Sequence, residues 1–456
     1  MKKQIVKISL MSLMIGSLTL VGCSKKGCTD PNANNYNSKA KKEDPDNPCT
    51  YDAVIEEYPG MTTTEVDYNG TTYTQITGTI TQNNTLDATT DWLISGGVFV
   101  DNGVTLTIAA GTTIHAANDG TTPFLSITQG GMINACGTAS YPIIFTPASP
   151  NPMPGDWGGI IVNGFATINS GTTAEGEGGT GIYGGSNDSD NSGSLCYIRV
   201  EYAGKILGTD NELNGFSFNG VGSGTTVHHL QAYRGSDDGF EFFGGTVNIK
   251  HCVSTGNQDD SFDWTQGWRG KGQFLVVEQN ADAGDRGFEG DNNSSNNNAT
   301  PVSNPTLSNI TLIGSDDGDA SNQGMKLRVG TKGSFYNCIV TGFPKRGIQV
   351  EHDATISNMN NENLVMSNSI VDNANPFVFT SSAGNDTIVT NMFIDVLNNN
   401  TTATDGSITT FLNGLIGTST NNAFDPTTVD SWFEAASYIG AIESGNDWTL
   451  PWTRSL

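Results

Sequence analysis

The stretch Asp238-Gly239-Phe240-Glu241-Phe242 recurs in related form along the middle of the chain, and this repetition decides the fold. Each copy has a small residue at its second position and an apolar residue at its third. A period near 24 residues, with apolar and polar residues alternating inside each copy, is typical of a parallel β-helix, in which each repeat forms one coil. We therefore predict an all-β fold, a single-stranded parallel β-helix (a solenoid), right-handed like most such folds. The other copies are Asn214–Phe218, Asp260–Trp264, Arg286–Gly290, Gln323–Leu327 and Arg346–Val350, and the second positions step by 24, 22, 26, 37 and 23 residues.

A second set of positions repeats with the same phase. Leu230, Cys252 and Cys338 each lie nine residues before the small residue of their copy. Small and apolar residues at a fixed phase suit the interior of a narrow coil, so we expect Cys252 and Cys338 to be buried, inert thiols. The later cysteines show no CxxC spacing, which argues against a zinc site.

The repeat also sets the predicted domain boundaries. Short alternating strands closed by Gly, Asn or Asp begin near residue 92, so we assign residues 92–400 to the β-helix. The 37-residue step indicates a loop insertion around Asn292–Asn304. Residues 53–91 are interpreted as an N-terminal cap over the open end of the rod, and residues 401–456 as a C-terminal cap.

Composition restricts the partners. The chain has 47 Asp and Glu against 21 Lys and Arg, a formal net charge of −26, which argues against binding to nucleic acid. This charge is compatible with divalent cations, basic partners or neutral glycans.

The N-terminus has the three parts of an export signal. Lys2, Lys3 and Lys7 give a positive start, and an apolar run too short to span a membrane follows them. The sequence Leu20-Val21-Gly22-Cys23 resembles the lipobox of bacterial lipoproteins, which implies a signal peptide over residues 1–22 and a lipid on Cys23. The alternative is an ordinary signal peptide with a cysteine there by chance.

Residues 23–52 form a polar linker. Cys28 and Cys49 bracket part of it and could pair, as an oxidising cell envelope allows. The run from Gly27 to Asn37, together with Cys49-Thr50-Tyr51, resembles a Cys-bracketed module of secreted Bacteroidetes proteins, although it lacks the usual Gly-Ser before the closing cysteine. A Cys28–Cys49 disulfide would close a loop of about 20 residues and stabilise the folded segment by roughly 3 kcal/mol in the chain-entropy model.

The body of the chain resembles a broad family of Bacteroidetes β-helix envelope lipoproteins. The resemblance rests on Gly155–Ile160, Asn211–Gly215, Asp237–Glu241, Tyr438–Ile442 and Asp447–Thr449. It implies a location, the outer membrane with either face possible, and a fold. It implies no activity, and no functional residue is carried over from it.

Stacking the repeats gathers carboxylates into rows about 4.8 Å apart, the spacing of adjacent strands. Like charges this close disfavour ionisation unless something compensates them. Three arrangements are open: a hard cation such as Ca²⁺ bound by the carboxylates, neutralisation by Arg286 and nearby cations, or side chains splayed into water as Asx turns. The candidate metal ligands are Asp237, Asp238, Glu241, Asp259, Asp260, Asp263, Asp285 and Glu289.

Catalysis is the alternative use of the same surface. A polysaccharide lyase needs a base, for which Lys326 and Arg328 are the candidates. A glycoside hydrolase needs two carboxylates at a set separation, and Asp238 with Asp260 could be that pair. The chain has no H-E-x-x-H or G-x-S-x-G pattern, which argues against a zinc protease or a serine hydrolase.

Aromatic residues near the repeats could stack on sugar rings. The candidates are Trp157, Trp268 and Phe243, whereas Trp264 follows the inward phase of Phe242 and is expected in the core. The sequence therefore favours a non-catalytic envelope lipoprotein, anchored through its lipid, that presents an acidic face to a glycan or another envelope protein. The alternative function is a polysaccharide lyase or glycoside hydrolase.

The lipid anchor gives the first testable prediction. The substitution Cys23→Ala removes the thiol that would carry the lipid, so we expect the protein to leave the membrane fraction. Fractionation of cells and labelling with a fatty acid measure this, with Cys28→Ala as the control that keeps the anchor. A Cys23→Ala protein that stays in the membrane, beside a wild type that takes up no label, would contradict the assignment.

Overall fold

The computed structural model describes residues 25–31, 33–50, 58–68, 70–208, 211–281, 284–315, 320–388, 400–403 and 423–455. The predicted signal peptide and Cys23 lie outside these residues. The chain divides into two compact units, residues 1–57 and residues 58–456. None of the helices in the described ranges has the length and apolar character needed to cross a bilayer.

The smaller unit is closed by a disulfide. Cys28 and Cys49 are bonded, and the Cys28 side is buried. The backbone N–H of Asn37 donates to the Cys28 carbonyl at 2.9 Å, and that of Thr50 donates to Asn35 Oδ1 at 2.9 Å. Disulfide and hydrogen bonds together fix a loop that has almost no apolar core of its own.

The regular secondary structure of the larger unit is almost entirely β-strand. Its described residues contain one α-helix, α1 (Asp353–Asn360), and two 3₁₀ turns, Glu177–Gly179 and Pro426–Thr428. The strands in the described ranges are β1 Thr62–Tyr68, β2 Thr71–Ile80, β3 Asn84–Leu86, β4 Trp92–Val100, β5 Thr105–Ile108, β6 Thr113–Ala116, β7 Phe124–Ile127, β8 Met132–Cys136, β9 Ile143–Pro147, β10 Ile160–Asn163, β11 Ala174–Glu175, β12 Ile182–Tyr183, β13 Gly193–Glu201, β14 Ile206–Gly208, β15 Asn211–Glu212, β16 Phe216–Asn219, β17 Thr226–Tyr233, β18 Phe240–Phe243, β19 Asn248–Thr255, β20 Phe262–Thr265, β21 Lys271–Glu278, β22 Arg286–Gly290, β23 Thr306–Ile313, β24 Gln323–Leu327, β25 Gly333–Thr341, β26 Arg346–Glu351, β27 Leu364–Ser367, β28 Ile370–Asp372, β29 Phe377–Thr380, β30 Asp386–Ile388 and β31 Thr401–Ala403.

The strands stack into three parallel ladders, which confirms the predicted parallel β-helix. Sheet A contains the first halves of β2 and β4, then β6, β9, the second halves of β13, β17, β19, β21, β23 and β25, and finally β28 and β31. Sheet B contains the second halves of β2 and β4, then β7, β10, β16, β18, β20, β22, β24, β26 and β29. Sheet C contains β3, β5, β8, the first halves of β13, β17, β19, β21, β23 and β25, and finally β27.

The register of sheet B is the one that the repeat predicts. Phe240 pairs with Phe216 on one side and with Phe262 on the other. These rings stack inside the coil with centroids 5.1 and 4.6 Å apart. Because side chains alternate along a strand, the residues between the rings point outward.

The second predicted column is also confirmed. Cys252 pairs with Leu275 in sheet A, and Cys338 pairs with Ile310. Both thiols are free and fully buried, and burial raises the pKa of each to about 12. They are apolar core residues. A disulfide that the sequence did not predict joins Cys136 and Cys196, which are direct cross-strand partners in sheet C.

Sheet C turns into sheet A at a residue in the left-handed backbone region. Non-glycine residues rarely adopt this conformation, because the Cβ approaches the following carbonyl. In this protein the left-handed residue bends the chain between its sheet C segment and its sheet A segment. The residues in this column have φ between 50° and 60° and are Tyr197, His229, His251, Phe274, Asn309, Asn337 and Asn368.

The β-helix begins earlier than predicted. Residues 53–91 were expected to cap the rod, but β2 pairs in parallel with β4 and β3 pairs with β5, so the first coil starts at Thr71. The boundary at residue 92 is therefore wrong. The end is covered in part by the antiparallel strand β1 and by Met61, which packs into the core. The predicted insertion is confirmed by the long connection between β22 and β23.

The expectation that residues 401–456 form a cap is also wrong for the described part of that range. β31 continues sheet A by pairing with β28. Residues 423–455, here called the C-terminal strap, run back along the side of the rod. Asn337 Nδ2 donates to the Phe424 carbonyl at 2.8 Å, and Arg199 Nη1 donates to the Trp452 carbonyl at 3.0 Å. The segment lacks the repeat because it forms no coil.

The strap covers a column of stacked rings. His229 stacks on Tyr197 with ring centroids 4.2 Å apart and on His251 at 4.4 Å. Trp452 contacts His229 edge-on at 5.8 Å, and Trp448 contacts His251 at 4.8 Å. Burial, with smaller contributions from neighbouring histidines and, at His251, from Lys250, lowers the pKa of both histidines to about 3, so both are neutral in the folded protein at pH 7.

These histidines predict an acid-sensitive strap. Their pKa is about 3 in the fold and 6.5 in the free side chain, so the stability they contribute is present above pH 6.5 and lost as the pH falls toward 3. Lys250 and His228 add to the cost of protonating His251, whereas Glu434 opposes it at His229. We expect the difference in melting temperature between wild type and the His229→Asn, His251→Asn variant to shrink as the pH falls.

The control is built into the chain, because Asn occupies the same left-handed position at Asn309 and Asn337. The variant loses ring packing at every pH, but it carries no group that titrates there. Two melting-temperature profiles that stay parallel between pH 7 and pH 4 would show that the histidines do not couple to stability.

Candidate functional site

The outer face of sheet B carries the predicted carboxylate row. Glu241 pairs with Ser217 and with Asp263, and Asp263 pairs with Glu289. The next partner of Glu289 is Lys326, so the charge of the row changes from negative to positive at this coil. The row is confirmed in register, and its side chains point away from the phenylalanine core.

The remaining predicted carboxylates lie in the connections from sheet A to sheet B. Asp238 Oδ1 accepts the backbone N–H of Asp260 at 2.9 Å, and Asp260 Oδ1 accepts the backbone N–H of Arg286 at 2.8 Å. Each buried aspartate therefore binds the backbone of the next coil. This contact explains why an acidic residue recurs at this phase, and it holds Asp238 and Asp260 at the wall of the groove.

The two rows line one cavity of about 300 Å³, here called the acidic groove. All of its lining residues are charged or carry an amide. They are Glu177, Glu212, Asn214, Asp237, Asp238, Glu241, Asp259, Asp260, Asp263, Arg286, Glu289 and Arg328. The structure thus brings together seven of the eight predicted metal ligands, and the eighth, Asp285, lies beside them on Arg286.

Two lining residues escaped the sequence analysis. Glu177 follows β11 and Glu212 ends β15, and both belong to hairpins inserted between coils. The hairpins touch, because the backbone N–H of Gly178 donates to Asn211 Oδ1 at 2.8 Å. Neither hairpin repeats, so no periodic signal could place these residues in the groove.

Cations neutralise one end of the groove. Arg286 forms ion pairs with Asp285, with Asp260 at 3.6 Å and with Glu289 at 3.0 Å. Arg328 pairs with Glu289 and with Asp291, the latter at 2.8 Å. Internal pairing, one of the three predicted arrangements, therefore accounts for this end.

Lys326, a candidate base, lies 3.3 Å from Glu351 and does not line the groove. Arg328, the other candidate base, does line it. The carboxylates around Arg328 raise its pKa against the effect of burial, so its guanidinium stays charged and suits binding better than proton abstraction.

The other end of the groove has no such compensation. Among the predicted metal ligands, five form no ion pair within the part of the chain that the structure describes: Asp237, Asp238, Glu241, Asp259 and Asp263. The hairpin residues Glu177 and Glu212 also form none there. Asp238 is 7 % exposed, and the Oδ1 atom of Asp263 is buried with no hydrogen-bond partner among the described residues. Glu241 accepts one bond, from Asn214 Nδ2 at 2.6 Å.

Burial and mutual repulsion act together on these groups. Burial raises the pKa of Asp238, Glu241 and Asp263 well above the ordinary range, and neighbouring carboxylates raise it further. The pKa of Asp237 rises to about 8 for the same reasons, with Asp259 as the largest charge contribution. Without a bound cation, Asp237 therefore holds its proton into the neutral range.

The spacing of the oxygens suits a cation. Asp237, Asp238 and Asp259 each place one carboxylate oxygen within 4.8 Å of the other two. The same holds for Asp238 with Glu241 and Asp263. Two further triads, which include Asp260, lie beside Arg286 and are already neutralised in part. The uncompensated triads share Asp238.

The aromatic predictions have mixed outcomes. Trp157 and Trp268 were proposed to stack on a ligand, but both are buried, against Phe145 at 5.9 Å and Phe242 at 4.2 Å respectively. They are core residues, because the inserted connections bring them inside the coil. Trp264 is in the core as predicted. Phe243 is half-buried on the outer face of sheet B.

The fold and the groove define a class of protein, a parallel β-helix with a polar groove on the outer face of one sheet. Residues 78–416 match a family described as the pectate-lyase-like β-helix domain, and the chain belongs to that family. Neither the curated proteins nor the solved structures yield a match.

The groove yields a prediction about Arg286. Replacing it with Gln leaves Asp260 and Glu289 buried beside one another without this partner, which should cost about 3–5 kcal/mol of unfolding free energy. Urea unfolding in EDTA measures the loss, and Arg286→Lys should restore part of it. The control is Arg269→Gln, which removes an ion pair to the more exposed Asp188 and should cost less than about 1 kcal/mol. Equal losses in Arg286→Gln and Arg269→Gln would mean that Arg286 does not hold the groove together.

Proposed function

We propose that the protein is a non-catalytic lipoprotein of the cell envelope whose acidic groove binds Ca²⁺ and presents a glycan-binding face. The observation that carries the proposal is the uncompensated end of the groove, where five carboxylates meet and Asp263 Oδ1 is buried without a partner among the described residues. The export signal and Cys23 support the location, and membership of a β-helix family supports a binding or a catalytic role.

Electrostatics favours a bound ion over an empty groove. Two unit charges about 5 Å apart repel by roughly 3 kcal/mol at an effective dielectric near 20. Asp238 has several carboxylates around it, with Asp260 on the next coil the strongest, so several such repulsions act together. A divalent cation converts this repulsion into ligation, whereas protons relieve it only as far as the pH allows.

The donor set favours calcium. Carboxylate oxygens are hard ligands, and the triads draw them both from strands and from the connections between strands. Calcium accepts six to eight oxygens in irregular geometry, whereas magnesium demands a near-ideal octahedron. Asp238 belongs to both triads. One of its oxygens accepts the Asp260 N–H, and the other remains free to bind an ion.

Catalysis remains the second candidate, on one specific observation. The pKa of Asp238 and of Asp260 is raised by burial and by neighbouring carboxylates, and a raised carboxyl pKa is what a general acid requires. A glycoside hydrolase would pair this acid with a second, ionised carboxylate. A lyase is less well supported, since Lys326 faces Glu351 and Arg328 is paired.

Calcium binding is tested by thermal unfolding. Millimolar Ca²⁺ against EDTA should raise the melting temperature of the wild type, because an ion at a hundred times its dissociation constant stabilises the fold by about 2.7 kcal/mol. The Asp238→Asn, Asp263→Asn variant should be more stable than the wild type in EDTA and should respond little to Ca²⁺. The control, Asp91→Asn with Glu362→Gln, removes the same charge from two exposed positions outside the groove.

The outcomes separate the possibilities. A wild type that ignores Ca²⁺ contradicts the proposal, and an equal response in the groove variant moves the ion to other residues. Incubating the purified protein with neutral glycans and with uronate polymers, and measuring new reducing ends and new unsaturated ends, tests the catalytic alternative. Turnover that is lost in Asp238→Asn would replace the binding role with an enzymatic one.

A further inference from the structure

The charge of the acidic groove selects a class of ligand beyond the metal. Nine carboxylates and two guanidinium groups line it, and the remaining lining residue is Asn214. Both guanidinium groups already bind carboxylates of the wall. A ligand that enters the uncompensated end therefore meets carboxyl groups and no unpaired cation, so an acidic polysaccharide finds no positive partner there unless an ion bridges it.

We propose that the acidic groove binds a glycan carrying free amino groups, a polymer of de-N-acetylated hexosamine. The inference rests on the proposal that the groove is a cation site, and it names the organic cation that this site takes. A protonated primary amine has three N–H donors and no acceptor. The triad formed by Asp238, Glu241 and Asp263 presents three acceptors to it.

The geometry fits an ammonium group. Charge-assisted N–H···O bonds are about 2.8 Å long, and three acceptors arranged tetrahedrally around one nitrogen then lie roughly 4.6 Å apart. The oxygens of the triad lie within 4.8 Å of one another. Among the described residues, Asp263 Oδ1 is buried with no hydrogen-bond partner, and Asp238 is 7 % exposed with one oxygen that makes no hydrogen bond. Both carboxyl groups are therefore set into the wall before the ligand arrives.

The lining favours a sugar over a lysine side chain. Lysine carries its ammonium on four methylene groups, which need apolar surface to pack against. None of the residues that line the groove is apolar. An amino sugar holds its amine directly on a ring whose hydroxyl groups can all donate to carboxylates. At about 300 Å³ the cavity also lies at the lower end of the range for small-ligand sites, as suits a short stretch of sugar.

The repeat of the fold extends this fit. The triad formed by Asp237, Asp238 and Asp259 shares Asp238 with the first, so a second amine of the same chain meets two further acceptors, Asp237 and Asp259. Glu177 and Glu212 add negative charge at the end where the two hairpins stand. A polymer with an amine on each ring meets several such positions, whereas a single ammonium ion meets one.

The test is calorimetry on the purified mature protein in EDTA, at a pH where the amine carries its proton. A glucosamine hexamer should bind roughly tenfold or more tightly than the N-acetylglucosamine hexamer, which has the same backbone without the charge. Calcium should weaken binding of the glucosamine hexamer, because the two ligands share Asp238. The Asp238→Asn, Glu241→Gln variant should lose the preference, and the Asp91→Asn, Glu362→Gln variant should keep it.

The binding measurements can contradict the amino-glycan proposal in three ways. Equal affinity for the two hexamers, tighter binding of oligolysine than of the glucosamine hexamer, or binding of polygalacturonate in EDTA would each overturn the inference. If calcium stabilises the protein while the two hexamers bind alike, the proposed cation site is supported and the proposed amino-glycan ligand is wrong. If neither calcium nor the charged hexamer acts on the wild type, the cation site falls as well.

Discussion

The parallel register is the constraint on which the rest of the structure depends. Each side chain lies about 4.8 Å from its counterpart in the next coil, so residues at the same position of successive repeats are neighbours. In the core this favours stability, because Phe216, Phe240 and Phe262 form one continuous stack. On the outer face of the same strands, the register places Glu241 beside Asp263, and the repulsion between these two carboxylates is destabilising. One rule produces both the stable core and the strained surface.

The same rule explains what the sequence could reveal. A period near 24 residues identified the coils, and the phase of Gly239 predicted the register of sheet B residue by residue, so the carboxylate row follows from the repeat alone. The period also placed Cys252 in the core. Residues outside the repeat were not predictable in this way. Glu177 and Glu212 reach the groove on inserted hairpins, and the first coil was missed because β2 and β3 lack the Gly-Phe pattern.

The burial of Trp157 and Trp268 shows a different limit. Each lies in a connecting segment rich in glycine, where the sequence alone leaves the direction of the side chain open. The indole N–H groups settle it, because Trp157 donates to the Glu201 carbonyl at 2.8 Å and Trp268 to the Val247 carbonyl at 3.2 Å. An aromatic residue near a groove is therefore weak evidence for stacking on a ligand when a backbone acceptor lies within the coil.

The C-terminal strap changes how such a rod can come apart. In a solenoid each coil touches only its neighbours, so stability is close to a sum of local terms and the ends can open one repeat at a time. Here Trp452 binds the coil of Arg199 while Phe424 binds the coil of Asn337, so one short segment bridges coils that are far apart in the stack. Opening any of the spanned coils also strips part of the strap from the others. The strap therefore couples these coils into one cooperative unit and leaves the coils before β13 and after β25, beyond these contacts, as the parts of the rod that can fray independently.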